Sequence, residues 1–432
     1  MKRMKIIIQI LVVFFILDCI YLYRKYHEYT DISSKKSKVW SMSRLKSAML
    51  VEKFVKKDLI LTVRQANSII NPDRLKSLQT STQHNPNATD TILFLKTHKT
   101  GSSTLQNILL RYFLLHNLTI ALPAYRASFF WPNPFSAKLF VKKQPGISRY
   151  HGFAHHAIYN KQEMLNVMKP NPSFITILRD PIALFKSAYK YYNMQSYCFN
   201  TTVERIKFSP NYKTFKTGVC PMTRTPVRNL QAFDLGLSLF NMDKEEAIKL
   251  LIQDIDQTMT VVLITERFDE SLILLKKIFN WTMDDIVYFK QNAQDPKLVH
   301  PVQVTNEADN DILQFNYADY LIYSHFSQKL DRQLKEHFNE SQLQKELQML
   351  HELQAEHQRN CVQQMASANS SIFLSRSSSY SLFRPYGGNT LGYVLKPNAL
   401  QDVNCRLLAM PELTLTHYIK AMAPRVKEGW LH

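Results

Sequence analysis

Short runs of apolar residues alternate along this chain with longer stretches of helical periodicity. Four runs rich in Ile, Leu, Val and Phe predict buried strands, at 91–96, 119–122, 173–178 and 259–264. Apolar residues three and four positions apart predict helices, at 103–116, 181–193 and 268–279. Strands that alternate with helices are typical of an α/β fold, in which a parallel sheet carries helices on both faces and binds ligands at the carboxyl ends of its strands.

The pattern changes towards the C-terminus. Residues 325–360 form a charged, Gln-rich run that predicts helix. Its apolar positions are expected to pack on the core as one face: Leu330, Leu334, Phe338, Leu343, Leu347 and Leu350. A partner-binding coiled coil is the alternative for this run. Residues 367–381 are rich in Ser and predict a loop.

The N-terminal pattern predicts a membrane anchor. Residues 6–23 are almost entirely apolar, and as a helix they would span about 27 Å, enough for a thin bilayer. A cleaved signal peptide is the alternative, but no small-residue cleavage site follows the run. We therefore divide the chain into a cytoplasmic tail (1–5), a transmembrane signal-anchor (6–23), a polar and basic lumenal stem (24–90) and one folded domain (91–432).

Asn-X-Ser/Thr sequons favour a lumenal position for the chain beyond this anchor, because N-glycosylation takes place in the secretory pathway. Six are present, at Asn87, Asn117, Asn200, Asn280, Asn339 and Asn369. Together with the short N-terminal tail, they predict a type II membrane protein.

The cysteines fit the same compartment. Of five, Cys19 lies in the predicted anchor, and the other four can form two disulfides in three possible pairings: Cys198, Cys220, Cys361 and Cys405. No Cys-X-X-Cys pair occurs, so a zinc or redox site has little support.

Charge narrows the range of partners. The 432 residues include 54 Lys and Arg against 35 Asp and Glu, a net charge of +19. Because the basic residues are spread along the chain, with no zinc-finger spacing or array of basic helices, we do not predict nucleic-acid binding. A basic field would attract an anionic nucleotide or a polyanionic substrate.

The loop after the first strand has the composition of an anion site. It begins at Lys96, which follows the strand, and leads into a helix through a run of cationic, hydroxyl and glycine residues: His98, Lys99, Thr100, Gly101, Ser102, Ser103 and Thr104. Backbone amides and the positive end of the helix dipole converge at such a junction. A nucleoside-triphosphate P-loop is excluded by spacing, because its Lys follows the second Gly, whereas Lys99 precedes Gly101.

A second anion-binding segment lies about eighty residues further on. Arg179 follows the strand 173–178, Asp180 and Pro181 are suited to begin a helix, and Ser187 lies about two turns into it. The guanidinium is a planar donor for phosphate, and the Ser hydroxyl adds a further donor. A surface Arg–Asp pair that only caps the helix is the alternative for this segment taken alone.

With these two segments the chain resembles the Golgi sulfotransferases that use 3′-phosphoadenosine-5′-phosphosulfate (PAPS), and within them the galactose 3-O-sulfotransferase family. The resemblance covers about residues 90–340, and more loosely 391–395. It is carried by F-L-K-T-H-K-T-G-S-S-T (94–104), H-H (155–156), T-I-L-R-D-P (176–181), R-N-L-Q-A-F-D-L-G (228–236), L-I-T-E-R-F-D-E-S-L (263–272) and D-D-I-V-Y-F-K-Q-N-A (284–293).

The resemblance implies a P-loop-like, PAPS-binding α/β domain over 91–432, anchored in the Golgi membrane with the catalytic domain in the lumen. The Lys99 loop would hold the 5′-phosphosulfate, and Arg179 with Ser187 would hold the 3′-phosphate. In-line transfer needs a cation at the leaving phosphate, for which Lys99 is the first candidate and Lys96 the second. No metal is required by this mechanism.

Transfer also needs a base for the acceptor hydroxyl, and a neutral imidazole suits that role. The resembling enzymes use a His ahead of the Arg-Asp-Pro strand. His156 is the first candidate, His155 the second and His98 the third, and a buried structural role is the alternative for each.

The acceptor implied by the resemblance is a galactose-terminated glycan or a galactolipid. Residues that could hydrogen-bond the sugar are Arg228, Asn229, Asp234 and Glu266, while Phe130 and Trp131 could stack on it. Two alternative functions stay open: a sulfotransferase of the same fold acting on uronic acid or hexosamine in glycosaminoglycans, and a non-catalytic Golgi glycan-binding protein. The sequence does not decide between glycolipid and glycoprotein acceptors.

Overall fold

A computed structural model describes residues 70–82, 85–124, 128–129, 131–199, 218–220, 226–294, 306–375, 378–386 and 390–423. The predicted signal-anchor, most of the stem, Phe130 and the sequon at Asn200 lie outside these ranges. Within them, no helix is both long and apolar enough to cross a membrane.

A five-stranded parallel sheet forms the centre of the domain. Its strands are β1 (Ile92–Leu95), β2 (Ile120–Ala121), β3 (Gly152–Phe153), β4 (Ser173–Leu178) and β5 (Met259–Ile264). They lie in the order β2-β3-β1-β4-β5, and each neighbouring pair is parallel. All four predicted strands are confirmed. Because β1 and β4 are adjacent, the loops that follow them open at the same edge of the sheet.

The short strand β3 was not predicted, because two residues carry no periodicity. Its Gly152 is required by packing: a Cβ atom there would lie 2.5 Å from the ring of Phe113. That ring is fully buried and belongs to the helix that follows β1, so this helix lies close to β3.

The helices that accompany the sheet begin with α1 (Pro72–Ser81), α2 (Ser102–Leu115), α3 (Ala137–Phe140), α4 (Lys161–Val167), α5 (Pro181–Tyr191), α6 (Leu230–Asp234), α7 (Glu245–Thr258) and α8 (Phe268–Phe279). The predicted helices are confirmed as α2, α5 and α8. The N-terminus of α5 is as expected, since the Asp180 side chain accepts a hydrogen bond from the amide of Ala183 at 2.8 Å.

The remaining helices are α9 (Met283–Ile286), α10 (Asn306–Phe315), α11 (Tyr317–His337), α12 (Glu340–Cys361), α13 (Ser371–Leu374), α14 (Val403–Ala409) and α15 (Glu412–Met422). The helical run predicted at 325–360 is thus two helices. The break occurs at Asn339, which caps α12 through a reciprocal pair of hydrogen bonds with Gln342. The predicted core face is confirmed, because Leu330, Leu334 and Leu350 are all buried.

A small antiparallel pair, β6 (Val362–Ser367) and β7 (Leu391–Leu395), lies next to the C-terminal helices and was not predicted. Its first strand has the sequence V-Q-Q-M-A-S, which lacks an apolar alternation. The predicted loop at 367–381 holds the one-turn helix α13. Of the three possible cysteine pairings, the structure has Cys198–Cys220 and Cys361–Cys405, and the second joins the end of α12 to α14.

Candidate active site

The loop between β1 and α2 turns its backbone towards the carboxyl edge of the sheet. Lys99 and Gly101 both have left-handed backbone conformations, with φ of 62° and 72°. This conformation is uncommon for a residue such as Lys and is found mainly at functional turns. No side chain among the described residues caps the N-terminus of α2 with a hydrogen bond. The turned backbone and the uncapped helix end together present amide groups suited to an anion.

Hydroxyl groups inside the loop fix its shape. Thr97 Oγ1 donates to the carbonyl of Ile177 at 2.5 Å, and Ser102 Oγ donates to the carbonyl of Thr97 at 2.6 Å. Thr265, the residue directly after β5, donates from its Oγ1 to the carbonyl oxygen of Thr100 at 2.7 Å. The loop is therefore held by hydrogen bonds to β4 and to the residue that follows β5.

Two further hydroxyls of this segment make hydrogen bonds with distant residues of the protein. Thr104 Oγ1 accepts a hydrogen bond from the amide of Gln291 at 3.0 Å. Ser103 Oγ donates to Glu412 Oε1 at 2.8 Å, and Asn292 Nδ2 donates to the same oxygen at 3.1 Å. The buried Glu412 on α15 was not anticipated, since no motif in the sequence relates it to the loop.

Three cationic side chains converge on the loop. Lys96 is buried, with Nζ 3.4 Å from Ser103 Oγ. Lys99 Nζ lies 3.6 Å from the ring centroid of Tyr191. Arg179 Nη1 donates to the carbonyl of Lys99 at 3.0 Å. The two segments predicted to bind the phosphate groups are therefore in direct contact.

These positive charges repel one another in a partly buried site. Burial, together with the positive charges of Arg179 and Lys96, lowers the pKa of Lys99 to about 8. Burial also lowers the pKa of Lys96, against the raising effect of Glu412. A cluster of cations that is costly without a counter-charge is suited to bind a phosphate or sulfate group.

Arg179 also lies close to an acidic side chain. Its buried Nε lies 3.9 Å from Glu266 Oε1 and makes no hydrogen bond with any residue that the structure describes. Glu266 itself accepts from the amide of Asp180 at 3.2 Å and from the Tyr323 hydroxyl at 3.2 Å. Glu266 therefore lies beside the arginine of the donor site. Ser187 is half-buried on α5, about 9 Å along the helix axis from Pro181.

His98 and His156 lie together at the other end of the loop. Their rings stack with centroids 3.8 Å apart and an interplanar angle of 15°. His98 Nδ1 lies 2.9 Å from Asp234 Oδ2, and the same oxygen accepts from the His98 amide at 2.7 Å. His156 Nδ1 lies 3.0 Å from the carbonyl oxygen of Lys96, so that nitrogen must carry the hydrogen.

His155 has a different environment. It is fully buried, and its Nε2 lies 3.0 Å from Thr416 Oγ1 on α15. Burial lowers the pKa of His155 well below its ordinary value, and the same holds for His156, where the nearby His98 adds to the effect. Both rings are thus held neutral, and His155 is turned away from the His98–His156 pair by its contact with α15.

An aromatic side chain packs against His98. Trp131 lies with its ring centroid 4.3 Å from that of His98, and its Nε1 donates to Asp234 Oδ1 at 2.8 Å. Asp234 is fully buried and accepts hydrogen bonds from both residues. Its position beside His98 was not anticipated, because 136 residues separate the two in sequence.

Arg228 and Asn229, two predicted sugar ligands, make structural contacts. Arg228 pairs with Asp243 through both terminal nitrogens and donates from Nε to the carbonyl of Phe315 at 2.8 Å. Asn229 is fully buried in a left-handed conformation, and its Oδ1 accepts from the amide of Asp319 at 3.1 Å. These contacts hold the segment before α6 against α10 and α11.

The site fits the donor expected from the sequence. The N-terminus of α2, Lys99 and the guanidinium of Arg179 are groups that can bind the two ends of a nucleotide with 3′- and 5′-anions. In the part of the chain that the structure describes, no three His, Cys, Asp or Glu side chains are grouped to hold a metal ion.

Comparison with known proteins identifies the family. The galactose-3-O-sulfotransferase family model matches residues 2–423. Galactose-3-O-sulfotransferase 2 of Sus scrofa is 31% identical over 333 residues, which cover 75% of this chain and 82% of that protein. Galactose-3-O-sulfotransferase 3 of Homo sapiens is 36% identical over 212 residues (47% and 48%), and galactosylceramide sulfotransferase of Mus musculus is 29% identical over 328 residues (74% and 76%). The chain therefore belongs to the galactose-3-O-sulfotransferase family, and its enzyme class is that of a sulfotransferase.

Proposed function

We propose that this protein transfers a sulfuryl group from PAPS to the 3-hydroxyl of a galactose residue on a glycolipid or glycoprotein glycan. The observation that carries the proposal is the convergence of Lys99, Arg179 and His98 on one loop at the carboxyl edge of the sheet. Two anion-binding groups and a base are the elements that sulfuryl transfer needs, and the family supports galactose as the acceptor.

The donor site is formed by the β1–α2 loop and Arg179. PAPS supplies the sulfuryl group when bound. The first-turn amides of α2 and the Lys99 ammonium hold its 5′ end, and the guanidinium of Arg179 holds its 3′-phosphate. Because negative charge grows on the leaving phosphate during transfer, a cation at Lys99 contributes more in the transition state than in the ground state.

For the general base we favour His98, the third candidate from the sequence, over His156. Asp234 accepts the hydrogen of His98 Nδ1, which leaves the Nε2 lone pair to take a proton and stabilises the imidazolium that forms. His156 Nδ1 donates to a backbone carbonyl instead of a carboxylate, and burial lowers its pKa well below the ordinary value, which makes it a poor base. Its ring stacks on His98 and holds it in place.

The acceptor galactose is expected to lie next to Trp131 and His98. An indole beside the base offers an apolar surface for the sugar ring, and the Asp234 bond fixes its orientation. Glu266 lies by Arg179 rather than by His98, so a direct contact with the sugar is not part of this proposal.

We also propose that the enzyme is a type II protein of the Golgi membrane with its catalytic domain in the lumen. The apolar run at 6–23 and the sequons support this location. The disulfides Cys198–Cys220 and Cys361–Cys405 fit an oxidising compartment. The sequon asparagines that the structure describes (Asn87, Asn117, Asn280, Asn339 and Asn369) are all exposed.

Purified full-length chain incubated with radiolabelled PAPS tests the proposal. The acceptors are a β-galactoside, its 3-deoxy analogue, N-acetyllactosamine, galactosylceramide in vesicles and heparan fragments, with Lys99→Met as the inactive control. We expect label on galactosides with a free 3-hydroxyl and none on the 3-deoxy analogue. Label on heparan alone would move the enzyme to glycosaminoglycan substrates, and no label on any acceptor would support a non-catalytic role.

A further inference from the structure

The backbone of Arg179 is held by a side chain instead of a neighbouring strand. The amide of Arg179 donates to Gln231 Oε1 at 2.7 Å, and Gln231 Nε2 donates to the carbonyl of Arg179 at 3.0 Å. A carboxamide that satisfies both backbone groups of one residue takes the place of a strand partner, and it does so where β4 ends.

Gln231 is itself fixed. It is fully buried on α6, and its amide donates to Asp319 Oδ2 at 3.2 Å. The amide of Ala232 donates to the other oxygen of Asp319 at 2.7 Å, so the carboxylate from α11 anchors the first turn of α6. The Gln231 side chain therefore projects from a held backbone.

Arg179 depends on this support because little else orients it. Among the described residues its guanidinium makes one hydrogen bond, from Nη1 to the carbonyl of Lys99, and its Nε lies 3.9 Å from Glu266 Oε1 without a hydrogen bond. Pro181, two residues further on, has no amide hydrogen to add to the local network. The backbone direction at Arg179, together with these two contacts, therefore sets where the guanidinium lies.

We propose that Gln231 is a positioning residue for the 3′-phosphate of the donor, acting through Arg179. This inference rests on the assignment of Arg179 to the 3′-phosphate in the proposed function. A charge-assisted, paired contact is sensitive to orientation and is worth about 10- to 100-fold in affinity, so misplacing the guanidinium should lose most of that factor.

A double-mutant cycle with Gln231→Met and Arg179→Ala in the full-length chain tests the inference. The measured quantity is the affinity for adenosine 3′,5′-diphosphate divided by that for adenosine 5′-monophosphate, which isolates the 3′-phosphate. We expect each single variant to lower this ratio at least about tenfold. The double variant should be no lower than Arg179→Ala, because both changes remove the same contact.

Gln144→Met is the matched control, since Gln144 is also buried and donates to a backbone carbonyl, that of Ile120, on the opposite side of the sheet. It should leave the ratio unchanged. If Arg179→Ala keeps the wild-type ratio, the donor assignment fails. If Arg179→Ala lowers the affinity ratio and Gln231→Met leaves it at the wild-type value, the positioning role of Gln231 is overturned. Should Gln231→Met not fold, Gln231→Glu, which keeps the acceptor but removes the donor, must lower the ratio by itself for the inference to stand.

Discussion

The lowered pKa of Lys99 predicts that donor binding weakens as the solution becomes mildly alkaline. With a pKa of about 8, the amine in the ligand-free protein is about nine-tenths protonated at pH 7 and about one-tenth protonated at pH 9. Burial and the charges of Arg179 and Lys96 lower this pKa, and a bound phosphate, being negative, raises it again. Binding above pH 8 therefore takes up a proton.

The expected magnitude follows from the protonated fraction. If only the ammonium form of Lys99 binds the 5′-phosphate, the affinity for adenosine 3′,5′-diphosphate falls about tenfold between pH 7 and pH 9, or about 1.4 kcal/mol. The phosphate groups themselves titrate near pH 6, below this window. Titration calorimetry at several pH values, in buffers of different ionisation enthalpy, measures both the affinity and the proton uptake.

Three variants make this reasoning refutable. Lys99→Arg keeps a charge throughout the window, so its affinity should be nearly independent of pH. Lys99→Met should bind weakly at pH 7 and also lose the pH dependence. Lys96→Met removes a charge that lowers the pKa of Lys99, so it should keep the alkaline loss but move it to higher pH. If the wild-type affinity is flat from pH 7 to 9 while Lys99→Met binds weakly, Lys99 is charged throughout, and its assigned pKa is wrong.

Other predictions concern the base and the C-terminal disulfide. His98→Gln should lower turnover at least about 100-fold while adenosine 3′,5′-diphosphate still binds; if His156→Gln is the inactive variant and His98→Gln is active, the base is His156. Asp234→Asn should lower kcat by a similar factor with little change in donor KM, because an amide at this position no longer favours the His98 tautomer with its hydrogen on Nδ1. An unchanged kcat would contradict the role of Asp234 in holding His98 as the base. Replacing Cys361 and Cys405 together by Ser opens a loop of 44 residues and should lower the free energy of unfolding by about 4 kcal/mol in chemical denaturation; a loss below about 1 kcal/mol would contradict the chain-entropy estimate.

Elements with a strong local pattern could be predicted from the sequence. The strands β4 and β5 and the helix α8 have the predicted bounds, because long apolar runs end at Pro or at polar residues that stop them. The strands β3 and β6 have no such pattern: β3 is two residues long, and β6 lacks an alternation of apolar and polar residues. Their pairing depends on distant chain, which single-sequence periodicity does not contain.

The donor site could be located from the sequence for a similar reason. Lys99 and Arg179 each follow an apolar strand, and parallel strands bring their carboxyl ends to one edge. The roles of the hydroxyls could not be assigned in this way. The loop has suitable hydroxyl side chains, but in the structure each of three makes a hydrogen bond within the protein: Ser102, Ser103 and Thr104. Composition shows which groups are present, while tertiary contacts decide which of them remain available.

One short helix, α6, contacts both the proposed 3′-phosphate site and the proposed general base. Gln231 and Asp234 are three residues apart on α6, a spacing that puts both side chains on the same face. From that face Gln231 holds the backbone of Arg179 and Asp234 holds the ring of His98. The distance between the 3′-phosphate grip and the proposed base is therefore set by one buried element. In the sequence these residues are indistinguishable from sugar ligands, because only the fold brings the segment beside β1 and β4.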